Sequence, residues 1–134
     1  MKRSIYIMVM LIVLGLLAGC GGQDMTNTSK NTYTQITQAE AKNIMDTQKG
    51  YIILDVREDY EFADGHIPGA VLLPNGDITT KAESVLKDKS QLILVYCRSG
   101  RRSKEAAQKL ADLGYTNVKE FGGIIDWPYG TTKD

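Results

Sequence analysis

Imidazole and thiol are nearly missing from this chain. Its 134 residues include one His, two Cys, one Trp and three Pro. With His66 as the only imidazole, no Cys–His dyad plus metal cluster can be assembled, so no metal is expected. Net charge is missing too. Sixteen Lys and Arg balance sixteen Asp and Glu. No global field therefore recruits nucleic acid or acidic substrates, and any recognition charge must be local. Internal repeats are absent. The apolar run at residues 5–18 falls short of the ~20 residues a spanning helix needs. The length suits one domain and not two.

That apolar run follows Lys2 and Arg3 and ends in small residues, the layout of a secretory signal. The tetrapeptide "LAGC" at 17–20 resembles the lipobox of bacterial lipoproteins. The resemblance implies cleavage before Cys20, whose sulfur takes a diacylglycerol. An uncleaved short anchor is the plainer alternative. Both place the rest of the chain outside the cytoplasm, in a bacterial cell envelope, and two or more acyl chains would hold it at a membrane surface. Residues 1–19 are thus expected to be a lipoprotein signal peptide, and 20–33 the lipidated Cys with a flexible linker. Removing 1–19 takes Lys2 and Arg3 and no acid, leaving 14 bases against 16 acids, a net of −2. With Cys20 blocked, Cys97 is the only free thiol. An intramolecular disulfide is then impossible, although that compartment permits one. A lone exported thiol is either buried and inert or does chemistry.

The stretch "GGQDMTNTSKNT", 21–32, is polar and without hydrophobic period, and reads as a tether reaching on the order of 20 Å. Beyond it the pattern alternates. "YTQI" is a short strand, and Thr37 with Glu40 forms a capping-box signature. Ala41, Ile44, Met45 and Gln48 mark one helical face. "YIILDV", 51–56, reads as a strand buried on both sides. A short helix ending at Gly65, a strand at 70–74 closed by Pro74, and a helix through Ala82, Val85 and Leu86 come next. "LILVYC", 92–97, is the most hydrophobic segment after the leader and the expected central strand. Ala106, Ala107, Leu110 and Leu113 stripe a helix that Gly114 ends. "VKEF" is a last strand, and "GGIIDW" a turn with a helical stub. This alternation argues an α/β sheet, mostly parallel, with helices on both faces. Ligands of such sheets bind beyond the carboxyl ends of the strands.

Cys97 sits at such an end, at the head of "CRSGRRS". The chain leaves the strand, turns through about six residues and enters a helix. Successive backbone N–H groups in the turn can form an anion nest, and the helix N-terminus adds partial positive charge. Gly100 supplies the conformational freedom. Arg98, Arg101, Arg102 and Lys104 raise the local potential, with no acid in sequence until Glu105. A thiol in this field is expected to ionise readily. The plain alternative is a buried Cys beside solvated arginines; the strand-end position and the basic cluster favour function.

"DVRE" at 55–58, "GHIPGA" at 65–70, "CRSGRRS" and "GGIIDW" at 122–127 occur in the order seen in rhodanese-like domains, and the chain resembles that family over residues 34–130. The resemblance implies a rhodanese-like five-stranded parallel sheet with helices on both faces. It also implies a sulfurtransferase of the thiosulfate type, needing no cofactor. By this likeness Cys97 attacks the outer sulfur of a small anionic donor such as thiosulfate. It becomes a persulfide, and passes sulfur to a thiol or other thiophilic acceptor, which can be a protein. A persulfide carrier or sensor without turnover is the alternative. Phosphatases and arsenate reductases share the fold, but their loop is one residue longer with arginine sixth after the cysteine. Here Ser103 is sixth and Arg102 fifth.

Roles follow by position. Cys97 is the nucleophile. Backbone amides of Arg98, Ser99, Gly100, Arg101, Arg102 and Ser103 stabilise the charged sulfur. Arg98 and Arg101 meet the donor; Arg102 either joins them or lies on the helix surface. The Ser103 hydroxyl donates to sulfur or caps the helix. Asp55 and Arg57 brace the loops as an ion pair. His66 is expected to be a structural hydrogen-bonder, and Trp127 a packing anchor.

Overall fold

The computed structural model describes residues 31–134. The leader, the "LAGC" motif, Cys20 and the tether up to residue 30 lie outside the described residues. The helix α1 (Gln38–Thr47) starts on the capping box: Glu40 N–H donates to Thr37 Oγ1 at 3.1 Å, and Thr37 N–H to the Glu40 carboxylate at 2.7 Å. Ala41 and Ile44 turn inward, while Gln48 lies past the last turn as the C-cap.

Before and after α1 the chain alternates. The strands are β1 (Thr34–Gln35), β2 (Ile52–Asp55), β3 (Val71–Leu72), β4 (Ile93–Cys97) and β5 (Val118–Gly123). The remaining helices are α2 (Asp59–Asp64), α3 (Ile78–Val85) and α4 (Arg101–Asp112), with 3-10 turns at Asn75–Asp77 and Ile124–Asp126. The five strands pair in parallel, in the order β1-β5-β4-β2-β3. This is the expected five-stranded sheet, with β4 at its centre.

All five residues of β4 are buried, and their side chains alternate between two cores. Ile93, Val95 and Cys97 pack with Ala82 of α3 and Ala106, Ala107 and Leu110 of α4. Leu94 and Tyr96 pack on the other face with Ala41 and Ile44 of α1 and with Trp127. A strand covered on both faces cannot alternate in polarity, which is why "LILVYC" reads as a continuous apolar run. The same parity sends Cys97 toward α4.

β3 is shorter than its apolar run. β3 pairs with β2 at only two positions, Leu54 with Val71 and Asp55 with Leu72. Pro74 then lacks an N–H for the ladder and leads into a 3-10 turn that the apolar pattern does not signal. Val85, expected on the buried stripe of α3, is 44% exposed. Leu86, fully buried, enters the core from the non-helical C-cap instead. Trp127 closes the α1 face, its ring 5.5 Å from that of Phe121 and its Nε1–H donating to Gly130 O at 3.1 Å.

Candidate active site

Cys97 is the last residue of β4, and three residues separate it from α4. Gly100 makes the turn in the left-handed region, at φ 106°, where a side chain is strained. The turn swings the Gly100 N–H back onto Cys97 Sγ at 3.0 Å. The first bond of the helix ladder runs from Lys104 N–H to Gly100 O at 3.3 Å. The N–H groups of Arg101, Arg102 and Ser103 therefore stand outside the ladder, at the positive end of the helix dipole. The sulfur lies in a socket, with Cys97 only 1% exposed, and of the six loop amides expected to stabilise it Gly100 N–H is the one hydrogen-bonded to it.

The socket is held from the side by β5. Val95 pairs with Glu120, but Cys97 pairs with Gly123, so β5 carries one extra residue there. Such a bulge re-aims the residues on its C-terminal side. Gly123 meets the loop so closely that a Cβ would lie 1.9 Å from Arg98 O and 2.6 Å from Ser99 Cα. Ile125 N–H then donates to Arg98 O at 3.2 Å. The "GGIIDW" segment is therefore one wall of the cysteine loop.

The fold brings acids to the basic loop from a distance. Glu61 of α2 accepts two bonds from Arg102, Nη1 to Oε2 at 2.7 Å and Nη2 to Oε1 at 2.9 Å. That hydrogen bonding, opposed by partial burial, holds the Glu61 carboxyl down at about 2 and the Arg102 guanidinium above its usual range. Arg101 pairs with Glu105 at 3.1 Å on the exposed surface of α4. Arg98 and Lys104 have no acidic partner among the described residues.

Ser103 is fully buried. Its Oγ lies 2.6 Å from Glu120 Oε1, 3.0 Å from Gly100 O and 3.4 Å from Cys97 Sγ. A hydroxyl has one proton, and the nearest acceptor is the carboxylate. Toward the sulfur, Ser103 is consequently an acceptor from the thiol. While the thiol keeps its proton, the expected donation to sulfur gives way to this nearer partner.

Asp55 and Arg57 form a buried pair, with Arg57 Nη2 on Asp55 Oδ2 at 2.7 Å. The Tyr96 hydroxyl donates to the same oxygen at 2.6 Å and accepts from Ile67 N–H at 3.0 Å. Arg57 also donates to Gly65 O at 2.7 Å. Burial, then the Asp55 charge, push the Tyr96 phenol up, so it remains a donor. Tyr96 belongs to the α1-side core, opposite Cys97, and this network ties the "GHIPGA" turn to β2 and β4. His66 lies in that turn, stacked on Phe62 and donating to Phe62 O at 2.9 Å.

Residues 37–127 match the family model described as "Rhodanese-like domain". The chain belongs to the rhodanese-like family. It is 38% identical to Bacillus subtilis YtwF over 99 residues, which span 74% of this chain and 93% of that protein. It is 33% identical to the Escherichia coli thiosulfate sulfurtransferase PspE over 73 residues, 54% of this chain and 70% of that one. Among solved structures, the rhodanese-like domain of Anabaena Alr3790 superposes with a TM-score of 0.70 at 30% identity. That match covers 77% of this chain and 81% of the other.

Rhodanese-like sulfurtransferases relay sulfur through a persulfide, and the rhodanese loop of this chain holds Cys97, the one free cysteine among the described residues. Three neighbours of that loop escape a reading by motif: Glu61, Glu120 and Gly123. Glu61 and Glu120 carry a signal only once strand and helix phases are known. Gly123 is visible in "GGIIDW" without a role. The Glu61–Arg102 pair generates a pH prediction. A carboxyl lowered from 4.5 to about 2 on folding stabilises above the higher value and stops doing so as pH falls through the lower. Glu61→Gln is expected to lower the melting temperature at neutral pH by a few degrees, with the difference from wild type fading as pH falls from about 4.5 to about 2. Thermal unfolding across pH measures this; equal melting at neutral pH contradicts it.

Proposed function

We propose that this domain is a thiosulfate-type sulfurtransferase working through a Cys97 persulfide. The observation that carries the reading is the sulfur's placement: at the end of β4, bonded by Gly100 N–H at 3.0 Å, below the open N-terminus of α4. In the first half-reaction the Cys97 thiolate forms an S–S bond to the outer sulfur of thiosulfate. The sulfur–sulfur bond within thiosulfate breaks, and sulfite leaves with the electron pair. In the second, a thiophile bonds that outer sulfur and Cys97 leaves as thiolate. The Gly100 N–H, already aimed at the sulfur, needs no reorganisation during either step. Arg98, expected with Arg101 to meet the dianionic donor, has no acidic partner among the described residues, while Arg101 is paired with Glu105; Lys104, also without an acidic partner among them, is a further candidate for that contact. Arg102 is held by Glu61, which further disfavours phosphate or arsenate chemistry.

A carrier reading has one supporting observation. Cys97 is 1% exposed and is the one free cysteine among the described residues, so a stored persulfide would be shielded and would have no resolving thiol there. Turnover separates the two. The wild type is expected to form thiocyanate from thiosulfate and cyanide, and Cys97→Ser to form none above background. Equal, slow rates for both would end the thiosulfate reading. Uptake of a single sulfur without turnover would favour the carrier.

We also propose that the chain is an envelope lipoprotein anchored through Cys20. Lys2, Arg3, the apolar run and "LAGC" support this. Expressed in bacteria from the full chain, the protein is expected to take up labelled fatty acid and sediment with membranes, and Cys20→Ala to do neither. An unlabelled wild type in the soluble fraction contradicts the anchor.

A further inference from the structure

Glu120 is a carboxylate on the inner face of an interior strand, 2% exposed, and the sulfur relay through Cys97 gives it no task. Its partners are few. Ser103 Oγ–H donates to Oε1 at 2.6 Å, Gly122 N–H to the same oxygen at 2.8 Å, and Gln35 Nε2 to Oε2 at 3.5 Å. No Lys or Arg neutralises it by an ion pair among the described residues. Burying a carboxylate without a cation is costly, and a mere filler of this position would be apolar. The one titratable group joined to it is the Cys97 thiol, through Ser103.

We propose that Glu120, acting through Ser103, is the proton acceptor that lets the buried Cys97 thiol ionise. The S–H bond of Cys97 breaks and its proton passes to Ser103 Oγ, 3.4 Å away. The Ser103 O–H breaks in turn, and that proton bonds to Glu120 Oε1. The negative charge moves from the carboxylate to the sulfur, where Gly100 N–H already points. Nothing is oxidised or reduced. The cluster holds one negative charge before and one after. Loss of the thiol proton straight to water would instead leave two anions sharing one serine in the interior. When the persulfide gives up its outer sulfur, the same chain run backwards can return the proton.

The carboxylate also offers an exit that the closed loop does not. Glu120 borders a groove of about 540 Å³ on the β1 side of the sheet, with Gln35, Gln38 and Ser99. The charged groups sharing this groove are Lys104 of α4, Glu40 of α1 and Asp126 of the last 3-10 turn. By this proposal the proton on Glu120 exchanges with water through that groove.

This proton relay rests on the proposed sulfur chemistry only in its purpose; ionisation itself is read by alkylation, which needs no sulfur donor. Rates of Cys97 modification by iodoacetamide and of persulfide formation with thiosulfate are measured from about pH 6 to about pH 9.5. Glu120→Gln keeps an acceptor oxygen for Ser103 and Gly122. Ser103→Ala breaks the chain while keeping the carboxylate itself, and serves if the first variant does not fold. Both are expected to slow alkylation by about tenfold or more near pH 7, the lower end for acid–base assistance, with the loss closing toward unity near pH 9.5. A loss equal at every pH marks a structural role and overturns the proposal. So do rates at or above wild type, which would mean that Glu120 merely repels the sulfur anion. If alkylation behaves as expected while thiosulfate leaves Cys97 unloaded, the relay stands and the sulfurtransferase reading falls.

Discussion

The site depends on one close approach: the backbone of the cysteine loop lies directly on Gly123. A single added carbon at that residue would overlap Arg98 O. Because the two backbones touch, the turn after β4 has little room to relax outward. Gly100 is kept in its left-handed conformation, its N–H stays on the sulfur, and α4 starts with its open end over the socket. The bulge between β4 and β5 supplies the offset that brings Gly123 opposite Cys97. Sheet register, rather than any side chain, thereby sets the position of the reactive atom.

Both the backbone and an arginine act on the sulfur: Gly100 N–H is hydrogen-bonded to it, and the Arg102 charge interacts with it. Two of the three loop arginines are paired with glutamates, one of them from a helix about forty residues earlier in the chain. The Arg102–Glu61 pair links α2 to α4, while Arg101–Glu105 lies within α4. Amide dipoles cannot be neutralised by a neighbouring carboxylate so easily, and they cost no reorganisation when charge appears on sulfur. The buried Asp55–Arg57–Tyr96 network does comparable work on the opposite face, fixing the "GHIPGA" turn while staying clear of the chemistry.

Much of this was legible in the chain. The doubly buried β4 declared itself as an unbroken apolar run, and the capping box at Thr37 located α1 because its chemistry is local. The thiol at a strand end, with a glycine and a helix after it, located the loop for the same reason. What escaped was non-local. Edge strands β1 and β3 pair on one side only, so their length is set by where the neighbouring backbone ends rather than by their own side chains. Glu61 meets Arg102 only once the fold brings α2 to the first turn of α4. Glu120 left a trace: strand alternation from inward Val118 puts residue 120 on the same face, so an acid there was out of phase with a solvated strand. Reading that phase would have exposed a buried carboxylate, though not its serine partner.

The most direct test is to put one carbon where the backbones touch. Gly123→Ala is expected to keep the fold, since its strand neighbours are unchanged, while displacing the turn and lowering sulfur uptake from thiosulfate by at least about tenfold. Intact mass after timed exposure to thiosulfate, with thermal unfolding as the control, reads both. Loading at the wild-type rate in a folded Gly123→Ala protein would contradict the account, because the loop would then owe its geometry to something other than this contact.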